Sequence, residues 1–397
     1  MEPIKRDTVR RAIRLAIDAS NIRVGGGVTH LVELLRESDP ALHGFERIFI
    51  WACAATLARI EDRPWLEKRS DPALEAQLPR RIVWQRRKLP QLLRETKVDL
   101  LLAPGGSIVP EFSPVVTMSR NMLPFEWNEL RRFGYTLAGL KLAFLRFNQS
   151  YSFKRADGMI FLTRYAHDAV TKVTGPLKGK TTIIPHGVDT RFRISPRRQR
   201  TADELTVSNP LRVIYVSTVD EFKHQWHVVE AVGRLRKEGI PIRLDLYGSA
   251  RPSTLARLTE AMRRMDSGGN FVRYWGAVDY KEIHRCYAAA DLSVFASSCE
   301  NMPNILMESM AAGLPIACSS RGPMPEMLRD GGVYFDPEDP ASIAGALRKL
   351  ATSSQLRSEK AATSFAVASE YSWSRCARET FDFLATVALE HQSRFAE

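Results

Sequence analysis

The sequence feature that most constrains the fold is an alternation of apolar and helical patterns between residues 292 and 318. The run Leu292–Ala296 is apolar and bounded by turn-forming residues, which predicts a buried strand, and Leu314–Cys318 predicts the next strand. A helix fits between them, because Pro303 suits a first helical turn and Gly313 suits the position just past a helix end. A strand, a helix and a second strand in this order predict a parallel sheet.

Two glutamates lie in this segment, Glu300 and Glu308. Glu300 falls in the loop that leaves the first strand, and Glu308 falls about two turns along the helix, at a rise of ~1.5 Å per residue. A helix N-terminus after a parallel strand suits a diphosphate, because it offers free N–H groups and a positive dipole end. Carboxylates beside it can accept hydrogen bonds from sugar and ribose hydroxyls. Such spacing also arises by chance on solvated helices, so the pair alone leaves its role open.

The segment ENMPNILMESMAAGLPI, which starts at Glu300, closely resembles the Glu-x7-Glu motif of retaining glycosyltransferases of family 4. This resemblance implies an α/β fold of the GT-B type, with two Rossmann-like doubly wound domains facing across a cleft. It implies that Glu300 is a catalytic residue that contacts the transferred sugar, and that Glu308 binds the donor ribose. Backbone amides near Met302, Pro303 and Asn304 are then expected to contact the donor diphosphate.

Positive charge is concentrated in the N-terminal half of the chain. The net charge is +12 over 397 residues; residues 1–200 carry 35 Lys and Arg against 20 Asp and Glu, whereas residues 201–397 carry 22 against 25. A basic half attracts anionic lipid, nucleic acid or a phosphorylated acceptor through the same long-range field. An arginine-rich composition also keeps a surface soluble without any partner, and this alternative stays open.

Composition restricts the cellular context and the cofactors. The five cysteines are scattered and form no Cys-x-x-Cys pair, which predicts reduced thiols and no zinc site. No Asp-x-Asp occurs, so we expect no carboxylate-held metal and no cofactor. No apolar stretch of about 18 residues appears, and the N-terminal MEPIKRDTVRRAIR lacks the apolar part of a secretory signal. We therefore expect a cytoplasmic protein.

A glycine-rich loop follows the first predicted strand, Arg14–Ala19. Gly25, Gly26 and Gly27 let a ligand approach the backbone closely, since they carry no Cβ. Their spacing is not that of a dinucleotide fingerprint, and a triple glycine alone is more often a flexible turn. In family 4 a glycine loop here borders the donor phosphates and the acceptor, so the resemblance assigns Gly26 and Gly27 to donor binding.

Three further apolar runs, Arg47–Trp51, Arg81–Trp84 and Val98–Ala103, predict strands of successive βα units. The segment from Pro114 onward falls where many family 4 enzymes carry a histidine and an aspartate near the acceptor sugar. Here Arg120 and Asn121 stand in that place. Arg120 suits a phosphate and Asn121 suits a sugar hydroxyl, so both are candidates for acceptor binding; a plain polar loop is the alternative.

The segment Leu130–Tyr151 combines leucine and phenylalanine with several cations. This composition suits a helix that lies on an anionic membrane surface. A doubly wound domain also needs helices with an apolar face, so a core helix is the competing interpretation.

The polar, proline-bearing segment Arg191–Pro210 is typical of a linker. We place an N-terminal acceptor-binding domain at 1–200, a C-terminal nucleotide-sugar domain at 201–370, and a terminal helix that packs back toward the first domain at 371–397. The second domain opens with a β-branched run, Leu211–Ser217, and then a loop. By resemblance Lys223 matches a family lysine on the donor diphosphate and is a catalytic candidate. Thr218 stands where the family has an arginine, so we assign it to donor binding.

The resemblance implies a retaining hexosyltransferase that moves sugar from a nucleotide-sugar donor to a saccharide acceptor, which we expect to be lipid-linked. A sugar-nucleotide epimerase or hydrolase of the same fold is the enzymatic alternative. A non-catalytic nucleic-acid-binding protein is the alternative outside the enzymes. No recognised nucleic-acid motif supports it, so we expect no nucleic-acid partner.

Overall fold

The computed structural model describes residues 12–108, 111–134 and 136–394. Residues 1–11, most of the segment that is predicted to lack a secretory signal, lie outside these ranges. Within them, strands and helices alternate and build two domains, each with one parallel sheet between layers of helices. No helix in the described ranges combines the length and apolar character that crossing a bilayer requires.

Across the described residues, the first domain contains seven parallel strands. They are β1 (Ile13–Asp18), β2 (Phe45–Trp51), β3 (Leu66–Arg69), β4 (Leu100–Ala103), β5 (Val115–Met118), β6 (Gly158–Phe161) and β7 (Lys180–Ile183). Their order in the sheet is β3-β2-β1-β4-β5-β6-β7. The helices are α1 (Gly26–Arg36), α2 (Ala54–Leu57), α3 (Pro72–Glu75), α4 (Leu78–Arg87), α5 (Leu89–Glu95), α6 (Trp127–Arg132), α7 (Leu137–Arg155) and α8 (Arg164–Thr174).

The second domain repeats the plan with six strands in the order β10-β9-β8-β11-β12-β13. They are β8 (Leu211–Val216), β9 (Ile242–Tyr247), β10 (Val272–Tyr274), β11 (Leu292–Phe295), β12 (Ile316–Ser319) and β13 (Gly332–Phe335). The helices are α9 (Gln225–Lys237), α10 (Pro252–Met265), α11 (Ile283–Ala289), α12 (Asn304–Ala311), α13 (Met324–Leu328), α14 (Pro340–Thr352), α15 (Ser354–Ala368) and α16 (Trp373–Arg394).

The central strands are buried on both faces, as their apolar sequences require. All four residues of β4 and of β11 are buried, as parallel strands covered by helices on both sides should be. The strand order reverses between β1 and β4 in one sheet and between β8 and β11 in the other. Loops at the carboxyl ends of such strands form the usual ligand crevice of doubly wound sheets. The fold therefore predicts the site at these two positions.

The terminal helix α16 leaves the second domain and packs on the first. Phe381 of α16 lies edge-to-face on Phe45 of β2, with ring centroids 5.4 Å apart. One residue further on, the Asp382 carboxylate lies 2.8 Å from Nδ1 of His43. The chain therefore crosses between the domains twice, once through the linker before β8 and once at the start of α16.

Two predicted elements differ from the structure, and one observed strand was not predicted. Arg81–Trp84, predicted as a strand, lies inside helix α4, because Pro79 begins a helix there and a short apolar run does not by itself distinguish the two states. The strand β3, Leu66–Arg69, was not predicted, since its sequence LEKR is charged and only half-buried. The helix predicted over Leu130–Tyr151 is split into α6 and α7 near Gly134, whose φ is +50°.

Candidate active site

A cavity of about 700 Å³ opens between the two domains, at the carboxyl ends of both sheets. Every predicted site residue except Asn121 lines it, namely Gly26, Gly27, Arg120, Thr218, Lys223, Glu300, Met302, Pro303, Asn304 and Glu308. The topology brings them together, because the loops after β1, β5, β8 and β11 all end at this edge.

Asn121 does not belong to the cavity lining. Its side-chain Oδ1 accepts a hydrogen bond from the backbone N–H of Leu123 at 3.1 Å. Asparagine commonly closes a turn by bonding the backbone two residues on. The side chain is therefore engaged in the local turn, and only Arg120 of the predicted acceptor pair reaches the cavity.

Lys223 and Glu300 form an ion pair inside the cavity, and their side chains are 10% and 15% exposed. Lys223 ends a short 3-10 turn after β8, and Glu300 lies in the loop after β11, so neighbouring strands position both partners. The Lys223 ammonium also lies 5.2 Å from the ring centre of Phe222 and 5.6 Å from that of Phe295. Limited water and nearby aromatic rings strengthen such an ion pair. The pair is therefore held ready before a ligand binds.

Glu308 lies deeper in the same wall and is only 3% exposed. The phenols of Tyr280 and Tyr287 donate hydrogen bonds to its two carboxylate oxygens at 3.1 and 3.2 Å. Burial raises the pKa of Glu308 to about 7, although the two hydrogen bonds act in the opposite direction. Burial therefore favours the neutral acid, and a ligand that donates hydrogen bonds to the carboxylate favours the charged form.

Two helix N-termini face the cavity without a side-chain cap. Helix α1 begins at Gly26 after Gly25, whose φ of +68° lies in the left-handed region, and α12 begins at Asn304 after Pro303. A Cβ at Gly26 would lie 3.4 Å from Nδ2 of Asn304, so the termini approach each other across the cleft. Uncapped N-termini with free N–H groups attract anions. The arrangement suits an elongated anion such as a diphosphate.

Arg120 enters the cavity from the loop after β5. Its NH1 group lies 3.4 Å from the carbonyl oxygen of Gly27, and burial lowers the pKa of the guanidinium to about 10. His186 also lines the cavity. Its Nδ1 is hydrogen-bonded to Nδ1 of His30 at 2.7 Å. Burial and the charge of Arg120 lower the pKa of His186, so this histidine is neutral at the cavity wall.

Among the described residues, His30, His186 and Cys376 are close enough to hold a metal ion together, with ligand atoms within 4.8 Å. The chemistry of the group opposes this use. Burial raises the pKa of the Cys376 thiol to about 12, whereas a metal requires the thiolate. The Arg120 guanidinium, which interacts electrostatically with both histidines, also repels any cation placed between them.

Sequence reasoning missed several residues that shape the site. Tyr280 and Tyr287, which hold Glu308, come from the loop after β10 and from α11. Arg59, which follows the short helix α2, also lines the cavity. None of them has a spacing relative to the glutamates that signals contact. Only the order of the strands brings them there.

Two family models match the chain. The model described as "Glycosyltransferase Family 4" matches residues 24–192, and "Glycosyl transferases group 1" matches residues 210–353. The chain belongs to glycosyltransferase family 4. The two matches cover both domains and include the segments that line the cavity.

Curated relatives resemble this glycosyltransferase over part of its length. Glycogen synthase of Mycobacterium tuberculosis is 26% identical over 205 residues, which cover 51% of this chain and 47% of that protein. O-antigen chain mannosyltransferase B of Escherichia coli is 27% identical over 172 residues, covering 43% of this chain and 44% of that protein. The chain thus spans about half the length of these relatives.

Solved structures resemble the glycosyltransferase over almost its whole length. Sucrose-phosphate synthase of Thermosynechococcus elongatus superposes with a TM-score of 0.70 at 17% identity, covering 97% of this chain and 100% of that one. HepE of Anabaena, in complex with UDP, has a TM-score of 0.64 at 18% identity, with 97% and 99% covered. These likenesses confirm the predicted GT-B fold of two parallel-sheet domains facing across a cleft.

Proposed function

We propose that this glycosyltransferase moves a hexose, with retention of anomeric configuration, from a nucleotide-sugar donor to a lipid-linked saccharide. The observation that carries the proposal is the convergence of the Lys223–Glu300 pair, buried Glu308 and two uncapped helix N-termini on one cavity. HepE was also solved with UDP-glucose, which supports a nucleotide-sugar donor in this fold. The E. coli O-antigen mannosyltransferase supports a saccharide acceptor.

In the proposed complex the second domain binds the donor. The ribose hydroxyls donate hydrogen bonds to Glu308, whose carboxylate is already fixed by two phenols. The diphosphate lies at the N-terminus of α12, beside the backbone amides near Met302 and Asn304. The Lys223 ammonium reaches the diphosphate from the other side, and Glu300 binds a hydroxyl of the sugar. Thr218 lines the same wall and offers its hydroxyl.

The reaction then exchanges one bond at the anomeric carbon. The bond from this carbon to the diphosphate oxygen breaks, and an acceptor hydroxyl forms the new bond on the same face. The acceptor proton passes to the departing phosphate oxygen. Lys223 and the α12 N-terminus stabilise the charge that develops on the diphosphate, and one such donor is typically worth ~3 kcal/mol. We propose that these groups act without a metal ion, and that no cofactor takes part.

We propose further that the first domain rests on an anionic membrane surface, which brings a lipid-linked acceptor to the cleft. Helix α7 carries a continuous exposed apolar face at alternating spacings of three and four residues. It consists of Leu137, Leu140, Phe144, Phe147 and Tyr151. Phe144 and Phe147 are 65% and 72% exposed, far more than a core helix needs. A broad exposed apolar face on one helix marks an interaction surface.

The charges around this face favour lipid as its partner. Helix α7 contains no Asp or Glu, and Lys141, Lys154 and Arg155 are exposed beside the apolar side chains. The guanidinium of Arg155 lies 5.5 Å from the ring centre of Tyr151. Aromatic and apolar side chains flanked only by cations suit the boundary of an anionic bilayer.

The proposed function is tested by incubating the protein with membrane lipid extract and radiolabelled UDP-, GDP- or ADP-sugars. We expect the label from one donor to pass into the organic phase only when the extract is present. A product that forms without extract, as free sugar or as an epimer of the donor, would instead support the epimerase or hydrolase alternative. Label that stays on the donor under all conditions contradicts transferase activity. Anomeric NMR coupling in the product tests retention.

A further inference from the structure

The charged groups of the cavity are unequally compensated. Lys223 is paired with Glu300, and Glu308 is bonded to two tyrosines. Among the described residues, Arg120 has no carboxylate partner. The hydrogen bond that its guanidinium makes to them is the one at 3.4 Å to the carbonyl oxygen of Gly27. Its nearest thiol, Cys376, is protonated at neutral pH, because burial raises the pKa of that thiol to about 12.

The Arg120 side chain is partly exposed to the cavity, and the part of its guanidinium that is removed from water without an anion loses hydration that is not replaced. The structure does not relieve this cost locally. The neighbouring His30 and His186 are neutral, and their pKa values are lowered by burial and by the Arg120 charge itself. A positive charge that persists here without a partner is thus available to a ligand, since several of its N–H donors have no acceptor.

The surroundings of Arg120 define the chemistry of that ligand. Its NH2 atom lies 3.5 Å from the position that a Cβ at Gly27 would occupy, so the guanidinium lies at van der Waals distance from the start of α1. The first backbone N–H groups of α1 have no side-chain acceptor. A planar guanidinium beside free amide groups matches two oxygens of one phosphoryl group.

We propose that Arg120 and the N-terminus of α1 form a phosphoryl-binding subsite on the first domain's wall of the cleft. The inference deepens the proposed function, on which it rests for the origin of the ligand. Two sources share this chemistry: the diphosphate of the nucleotide-sugar donor and a phosphate on the lipid-linked acceptor. In either case the subsite supplies a positive charge that Thr218 on the opposite wall does not provide.

The test uses Arg120→Gln and Arg120→Lys, with Arg86→Gln, an exposed arginine on α4, as the control for net charge. Melting temperatures are measured without ligand and with inorganic pyrophosphate, uridine and UDP. We expect Arg120→Gln to melt no lower than wild type, because no ion pair is lost, and to lose the stabilisation by pyrophosphate. Arg120→Lys should retain part of it, and Arg86→Gln should behave as wild type. A lower unliganded melting temperature with unchanged pyrophosphate stabilisation would overturn the proposal.

Two further arms identify the source. If the subsite holds the donor diphosphate, Arg120→Gln lowers the affinity for UDP by about tenfold or more and leaves the affinity for uridine unchanged. If it holds an acceptor phosphate, UDP affinity is retained, and inorganic phosphate still stabilises UDP-saturated wild type but not the variant. If no nucleotide raises the melting temperature, but pyrophosphate raises it in an Arg120-dependent way, the donor assignment is refuted and the subsite is supported. A wild type that ignores both pyrophosphate and phosphate refutes the subsite.

Discussion

The two walls of the cleft differ in how their charged groups are neutralised before a ligand binds. The wall from the second domain pairs its charges internally, with Lys223 on Glu300 and Glu308 between two phenols. The wall from the first domain presents the backbone at Gly26 and Gly27, the side chains of Arg59 and His186, and Arg120, which has no carboxylate partner among the described residues.

This difference indicates a division of labour. Internal pairing fixes side chains before the ligand arrives, so that little reorganisation is needed when charge develops. An uncompensated cation beside glycines is neutralised only when an anion binds. We infer that the second domain orients the reacting groups, whereas the first domain captures phosphorylated ligands and, through α7, the surface that carries them.

The largest effect on activity is expected from substituting Glu300, the partner of Lys223 that is proposed to contact the sugar. Glu300→Gln should reduce the turnover of sugar transfer by about 10²–10³-fold, with little change in donor affinity, if Glu300 acts mainly in the transition state. The measurement is transfer rate at saturating donor. Glu282→Gln, a more exposed glutamate before α11, should leave the rate unchanged. An unaltered turnover in Glu300→Gln would remove the catalytic assignment.

A smaller effect concerns stability and its dependence on pH. The pKa of Glu308 is raised from 4.5 to about 7, so the folded state binds more protons than the unfolded state between these pH values, and wild-type stability falls as pH rises through that window. Glu308→Gln cannot ionise there. It should match wild type near pH 4.5 and exceed it above pH 7 by about 1–3 kcal/mol.

Denaturant unfolding of both proteins at several pH values measures this difference. Glu359→Gln, an exposed glutamate on α15, is the control and should show no such divergence from wild type. A wild-type protein that gains stability over Glu308→Gln as pH rises would show that the carboxylate is buried as a stable anion.

Substitutions in the exposed apolar face of α7, which is proposed to contact lipid, should weaken membrane binding. Replacing Phe144 and Phe147 by aspartate removes two exposed rings and adds negative charge, so binding to phosphatidylglycerol-containing vesicles should weaken by about tenfold or more. Vesicle co-sedimentation measures it. Val207→Asp, which changes an exposed apolar residue of the second domain, is the matched control. Equal sedimentation of both variants with wild type would leave the apolar face for another partner, such as a second copy of the chain.

The smallest effect is expected at Asn121. Because its Oδ1 bonds the N–H of Leu123 and lies outside the cavity, Asn121→Ala should cost about 0.5–1.5 kcal/mol of stability and leave donor affinity unchanged. Thermal unfolding and a donor titration test the two halves of this expectation. A loss of acceptor use without a loss of stability would restore Asn121 as a ligand-binding residue.

Sequence reasoning reached the second domain more fully than the first. The strand predicted at Leu292–Ala296 coincides with β11, and the helix between Glu300 and Gly313 is present as α12, because apolar runs and terminal signals agree there. In the first domain the run Arg81–Trp84 carried no such agreement, and its helix was predicted as a strand. Short apolar runs become unambiguous only through packing.

The site divides in the same way. Glu300, Glu308 and Lys223 were recognised because they lie in segments with a family pattern, and the structure gathers them in one cavity. The two phenols on Glu308 and the missing counter-charge of Arg120 could not be predicted. They depend on which loops the strand order brings together, and on which partners are absent after folding.

The central claim is that the paired wall of the second domain is a nucleotide-sugar site. The most direct test measures the melting temperatures of wild type and Glu308→Ala with a panel of UDP-, GDP- and ADP-sugars, because a ligand that binds only the folded state must raise the melting temperature. We expect donors of one nucleotide to stabilise wild type, and Glu308→Ala to lose most of that stabilisation. A panel that stabilises neither protein, or both equally, would contradict the account.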